Sequence, residues 1–143
     1  MPRVSHAPLN GKLLREIEDH FSYLISSLTN SNDIEDFFGE FFTKEEKVML
    51  AKRLVLFMML KNNYSPRIIQ TAIHISYETV RSHANQIDNK NQKFHVVIEK
   101  LIAREKTKEF FQKINDLLKP IDLALRAKTD MKARAKLTSG DWS

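Results

Sequence analysis

Tyr77, Glu78, Arg81, Ser82 and Asn85 form the outward side of a short helix whose other side, Val80, Ala84 and Ile87, recurs at spacings of four and three. These hydrogen-bonding side chains sit on the second helix of SPRIIQTAIHISYETVRSHANQI, Ser65 to Ile87. Two short helices joined by a tight turn are the shape with which proteins enter the DNA major groove. No other constellation in the chain points to chemistry. His6, His20, His74, His83 and His95 lie in separate elements with no His-x-x-x-His spacing, and there is no cysteine to complete a metal site. A phosphate-binding glycine loop and a serine elbow are also missing. The expectation is a protein without catalytic activity, metal or cofactor.

The elements that position these residues are written locally. Ser65 is an N-cap and Pro66 stands at the first helical position, where its absent N–H costs nothing and its fixed φ favours helix. Ile69 and Ile73 share a face, and Ala72 is small enough for a second helix to approach. Ser76 caps that second helix through the N–H of Glu78 or Thr79, with Glu78 at the positive end of the helix dipole. His74 stands at the turn where glycine is usual, and Gln70 where alanine is usual. Histidine is among the few non-glycine residues enriched at positive φ, so it is read as a turn residue rather than a ligand. Two amphipathic helices with a short connection make the same pattern in proteins that bind no nucleic acid. A helical protein-interaction module with a solvated basic surface therefore stands beside DNA binding at this point.

The 143 residues are one domain's worth of chain, 42% hydrophobic, with three glycines and four prolines, and the composition predicts an all-α fold. The longest apolar run, Leu54 to Leu60, has seven residues against the roughly 20 of a membrane helix. With no signal peptide visible and no cysteine, a soluble cytoplasmic protein without a membrane partner is expected. The net charge of +5 is uneven: residues 1–64 carry eight Lys/Arg and nine Asp/Glu, residues 65–143 fifteen and nine. The basic excess begins at the helix-turn-helix, which favours nucleic acid as the partner.

Along the chain, residues 1–9 read as a flexible arm, 10–119 as one helical dimerisation and DNA-binding domain with the helix-turn-helix at 65–88, and 120–143 as a basic tail. Leu14, Ile17, Phe21, Leu24, Ile25 and Leu28 mark a first helix of about 20 residues. Asn32 and Glu35 are read as the N-terminal signal of a second, whose Phe37, Phe38, Phe41 and Phe42 demand burial. Thr43 and Glu46 form a capping box for a third helix, Lys44 to about Asn62. That helix loses its polar face at LVLFMML, and a helix apolar all round must be covered on every side. A second copy of the chain is the expected cover, since one small domain has few helices to supply it. Phe94, Val97, Ile98, Leu101, Ile102, Phe110, Ile114 and Leu117 predict a further long helix or helix pair ending before Pro120.

This order of elements resembles the Trp repressor family. The residues carrying the likeness run from Phe37 to Asp88: Thr43-x-x-Glu46, then Leu50, Ala51 and Arg53, then Ser65 and Arg67, then Ser76-x-x-Thr79-Val80. The resemblance implies a Trp-repressor-like homodimer, intertwined, whose two heads dock in successive major grooves of a near-palindromic double-stranded operator. It implies a repressor of transcription, carried on the bacterial nucleoid when bound to DNA. Docked in that way, Tyr77, Glu78, Arg81 and Ser82 would read bases, with Arg81 suited to guanine and Glu78 to cytosine. Glu78 and Arg81 could instead pair with each other at i, i+3. Lys61, Ser65, Arg67 and Lys90 would hold the DNA backbone, with Arg3 in the arm and the basic tail adding non-specific affinity.

In the family's founding member, tryptophan lies between an arginine of the third helix and one of the recognition helix. Thr43 and Arg53 match the third-helix side of that effector pocket. Ser82 stands where the second arginine belongs. Arg81 is one position earlier, and one residue turns a side chain by about 100° around the helix axis. The bidentate carboxylate clamp is not expected, and L-tryptophan is not the expected effector.

Overall fold

The computed structural model describes residues 7–126, and every regular element among them is helical. The order is α1 (Gly11–Ser27), α2 (Ser31–Phe41), α3 (Lys44–Lys61), α4 (Pro66–Ile73), α5 (Tyr77–Gln86), a 3-10 turn (Ile87–Asn89), α6 (Gln92–Ala103) and α7 (Glu105–Arg126). The expected all-α class is thus found. Contacts divide the chain into two compact units, Met1–Ala51 and Lys52–Ser143, and the boundary falls within α3. Residues 1–6 of the expected arm (1–9) and residues 127–143 of the expected tail (120–143) lie outside the described residues.

In the first unit, side-chain caps set the helix starts. Asn10 accepts from the Lys12 N–H at 2.8 Å to open α1. For α2 the cap is Asn30 rather than the expected Asn32: it accepts from the Asp33 N–H at 2.9 Å, while its amide donates to the Asp33 carboxylate at 2.7 Å. The segment TNSNDIED offers the same i, i+3 signal twice, and the earlier one wins because it adds half a turn and a second hydrogen bond. The Thr43–Glu46 capping box forms as expected, with the Thr43 N–H donating to Glu46 Oε2 at 2.9 Å and the Glu46 N–H to Thr43 Oγ1 at 3.2 Å. Lys47 Nζ donates to the Gly39 carbonyl at 2.9 Å and ties the start of α3 to the end of α2.

Burial of the phenylalanines does not follow. None of residues 7–51 is buried, and Phe41 keeps 53% of its surface. The rings instead stack on one another, Phe37 on Phe41 at 5.2 Å, Phe38 against Phe42 at 5.1 Å, and Phe21 beside Phe41 at 5.9 Å. The side-by-side rings share a surface, but α1 and α2 alone have too little volume to enclose it.

The second unit has a closed core. Leu56, Phe57, Met58 and Met59 of α3 are buried with Ile69, Val80, Ile87, Ile98, Phe111, Ile114 and Leu118. Those partners come from α4, α5, the 3-10 turn, α6 and α7, so the all-round apolar run is covered inside one chain. The expectation that a second copy must cover LVLFMML is corrected: five other elements of the same chain, from the 3-10 turn to the long α7, contribute residues to the core around its end. Leu54 alone in that run stays exposed.

α3 ends in a Schellman motif, with Asn63 at φ 61° and its N–H donating to the Leu60 carbonyl, and the Tyr64 N–H donating to the Met59 carbonyl, both at 3.1 Å. At the other end of the unit, α7 does not stop before Pro120 but runs to Arg126. A proline inside a helix costs about 3 kcal/mol. Leu118 is buried and Ile121 packs on the same core, so apolar anchors on either side hold the helix through it.

Candidate nucleic-acid interface

The helix-turn-helix is built as its residues dictate. Ser65 Oγ accepts from the Ile68 N–H at 3.4 Å, Pro66 starts α4, and His74 ends it in the left-handed region at φ 51°, ψ 54°. Lys52 Nζ donates to the His74 carbonyl at 3.2 Å, placing a cation at the negative end of α4. Ser76 Oγ accepts from the Thr79 N–H at 3.2 Å and shares a 2.7 Å hydrogen bond with the Thr79 hydroxyl. Of the two donors the sequence allowed, Thr79 is the one used.

Beneath this frame Ile69 and Val80 are fully buried, each on the inner face of its helix. Burying a branched aliphatic side chain stabilises by roughly 1.5–3 kcal/mol, and here it locks α4 to α5. The start of α5 is thereby presented as a rigid edge. Tyr77, Glu78, Arg81 and Ser82 are all exposed on it. No ion pair joins Glu78 to Arg81 among the described residues, so both charged groups face outward unpaired with each other.

Arg67 belongs to the same edge. With Gln70, Thr71, Tyr77 and Ile121 it lines a cleft of about 330 Å³. Gln70 and Thr71 follow Arg67 at i+3 and i+4, so helical spacing already placed them on its face, although the sequence reading had singled out neither as a site residue. Thr71 Oγ1 donates to the Arg67 carbonyl at 2.9 Å.

Two of the expected backbone contacts are otherwise engaged. Lys61 is only 22% exposed; its ammonium pairs with Glu99 at 2.9 Å and lies 3.1 Å from His95 Nδ1. The hydrogen bond from Lys61, and then its charge, hold the Glu99 carboxyl below its ordinary pKa. Spacing could not reveal this, because Glu99 is on α6. Lys90 is exposed, but its ammonium stands 5.8 Å from the centre of the Phe57 ring and 5.9 Å from that of Phe94. A cation over aromatic faces is held in place without losing its outward charge.

Thr43 lies in the first unit and its hydroxyl is used by the capping box; Arg53 lies in the second and is half-buried. His83, which the sequence reading set aside, stands with its ring edge-on to Phe57 at 5.4 Å. Its Nδ1 is buried without a hydrogen-bond partner. Burial lowers the His83 pKa, and the charges of Arg53 and Lys90 lower it further. The imidazole is therefore neutral at neutral pH and functions here as a packing group.

No group of His, Cys, Asp or Glu among the described residues is arranged to hold a metal ion, and no described helix is long and apolar enough to cross a membrane. No curated protein and no solved structure matches the chain. The family model of the Trp repressor protein matches residues 18–102, a segment that contains α2 to α5, the Thr43 capping box and the whole exposed edge. That family consists of DNA-binding transcription regulators, not enzymes. More than half of the chain lies within the match, and the chain belongs to the Trp repressor family.

Proposed function

We propose that this protein is a sequence-specific transcriptional repressor that binds a near-palindromic operator as a homodimer, one helix-turn-helix per half-site. The observation that carries the reading is the exposed first two turns of α5, with Tyr77, Glu78, Arg81 and Ser82 facing out over fully buried Val80. A recognition helix must be rigid from below and chemically open above. Arg81 pairs with guanine N7 and O6 and Glu78 accepts from cytosine N4, the partners that major-groove geometry favours. Ser65, Arg67 and Lys90 hold the phosphates; Lys61, already neutralised by Glu99, contributes least.

The homodimer is supported by the first unit. Leu13, Leu14, Ile17, Phe21, Ile25 and Phe41 are all exposed there, and no residue of 7–51 is buried. So much apolar surface on a small unit marks an association site. A second copy supplies its cover, and two copies give the two-fold symmetry that a palindrome mirrors. L-tryptophan is not the effector: Ser82 cannot clamp a carboxylate, and calorimetry at micromolar tryptophan should detect no specific binding.

Selection of bound sequences from a random DNA pool tests the reading. The expected result is a two-fold motif with half-sites one helical turn apart, about 34–36 Å, or a multiple of that. A pool that shows no enrichment, with no salt-dependent affinity for random DNA, would leave the basic surface as merely solvated and overturn it.

A further inference from the structure

Tyr64 closes the Schellman end of α3 and immediately precedes Ser65, the cap of α4. Its ring stacks on Phe111 of α7 at 5.9 Å with the planes 25° apart, and its hydroxyl donates to Asn115 Oδ1. Phe111 and Asn115 also line a cleft of about 570 Å³, together with Lys61, Glu99, Ile102 and Lys108. The cleft lies between the end of α3, α6 and the first half of α7, on residues other than Thr43 and Arg53 of the expected effector pocket. Small-molecule sites have volumes of roughly 300–1,000 Å³.

The chemistry of the wall selects a ligand class. Its charged groups are two ammoniums, Lys61 and Lys108, and one carboxylate, Glu99. Lys61 already answers Glu99 at 2.9 Å, so the surplus charge belongs to Lys108, whose i, i+3 pair with Glu105 at 3.2 Å is exposed on both sides and weak. The Asn115 oxygen is engaged by Tyr64, and its NH2 group remains to donate. Buried Phe111 and half-buried Ile102 supply apolar contact. One surplus positive charge, an amide donor and an apolar wall suit a monoanion with an apolar body. A phosphate monoester, with nearly two negative charges, would leave one unanswered.

We propose that this cleft binds a small organic carboxylate with an apolar body, and that its occupant tightens DNA binding by fixing Tyr64 at the start of the helix-turn-helix. A carboxylate accepting from the Asn115 NH2 group orients the amide whose oxygen holds the Tyr64 hydroxyl. The ordering of that one amide is passed to the residue that leads into α4. The coupling rests on the DNA-binding reading above; the site does not.

The test uses benzoate as the probe on the full chain. In a ¹⁵N–¹H NMR titration without DNA, saturable shifts are expected at the amides of Ala103, Gln112 and Asn115, extending to Tyr64 and Ser65. As a fragment the probe should bind in the millimolar range. Benzylamine, of the same size and opposite charge, should produce none of them. K108Q, at an exposed position, should weaken the binding about tenfold. E99Q, which removes the only carboxylate of the wall, should tighten it. A103W, also at an exposed position, fills the cleft with both lysines kept and should abolish the shifts. Shifts that do not saturate, that scatter over the surface, or that benzylamine reproduces would overturn the site. The coupling is read by fluorescence anisotropy on a DNA duplex, with saturating sodium benzoate against equimolar NaCl. Affinity should rise about fivefold in the parent and not in Y64F, which keeps the ring and the site but lacks the hydroxyl. Unchanged or weaker affinity in the parent would overturn the coupling. A chain that binds no duplex at low salt would defeat the DNA-binding reading and the coupling with it, while the benzoate shifts still decide the site.

Discussion

Residues 7–51 and residues 52–121 contain similar proportions of apolar side chain, and they end in opposite states. In the second region five elements close around the end of α3 and leave Leu56, Met59, Ile69 and Val80 at 1% exposure or less. In the first, two helices and the start of a third carry Ile17, Phe21, Phe41 and their neighbours in the open. The difference lies in how many elements surround each apolar surface rather than in how apolar it is. A helix is enclosed only when neighbours come from every side, and the end of α3 has them from α4, α5, the 3-10 turn, α6 and α7. The reading edge is built on the closed region, where positional precision is cheapest to maintain. The open region is the surface proposed for association.

Large-to-small changes should separate the two regions most clearly. Leu56→Ala in the closed core is expected to cost roughly 2–5 kcal/mol in chemical denaturation, independent of protein concentration. Phe41→Ala should behave differently if the proposed second copy covers it, costing little at high dilution and progressively more as concentration rises. Analytical ultracentrifugation should show the matching shift toward monomer. If Phe41→Ala is as costly at every concentration as Leu56→Ala, the contrast between the regions disappears.

The reading edge comes next in size. Arg81→Ala should lose about 1–3 kcal/mol of operator affinity and relax the base preference at one position, while Arg67→Ala should weaken all duplexes alike and reduce the salt slope by about 1. Equal behaviour of both variants and the parent in binding titrations would remove α5 from the groove. Smaller still is Lys61→Gln. Its partner Glu99 is mostly exposed, so thermal melts should register no more than about 1 kcal/mol, and DNA affinity should barely change.

The last test is a pH dependence. Burial, with Arg53 and Lys90 beside it, keeps the folded pKa of His83 below its ordinary value of 6.5, so the unfolded chain binds the proton more readily. Its contribution to stability is present above pH 6.5 and is lost as pH falls through the folded pKa. Melting temperatures followed downward from neutral pH should therefore drop more steeply for the parent than for His83→Gln, which cannot titrate. Parallel curves would mean that the imidazole is not held neutral by its surroundings.

How far the sequence could be read depends on the range of the interaction involved. Ser65, Pro66, His74, Ser76, Thr43 and Glu46 each act within four residues, and all do what their types and spacing predict. The Asn30 cap was missed by two residues because the same local signal occurs twice in succession. Lys61 was misjudged for another reason: its partner Glu99 is 38 positions away, and no local rule links them. The end of α7 was misjudged likewise, since Pro120 is a sound stop signal that long-range packing of Leu118 and Ile121 overrides.

By itself, then, the order of residues determined the helices, their caps, the helix-turn-helix and the outward position of Tyr77, Glu78, Arg81 and Ser82, all consequences of interactions inside one or two helical turns. The tertiary structure alone decided that LVLFMML is covered by its own chain, that residues 7–51 are left open, that Lys61 is neutralised, and that α7 lies along the reading head. Burial and pairing between distant residues depend on which surfaces meet. Hydrophobic contact is non-directional, and periodicity records that a face must be covered without recording by what.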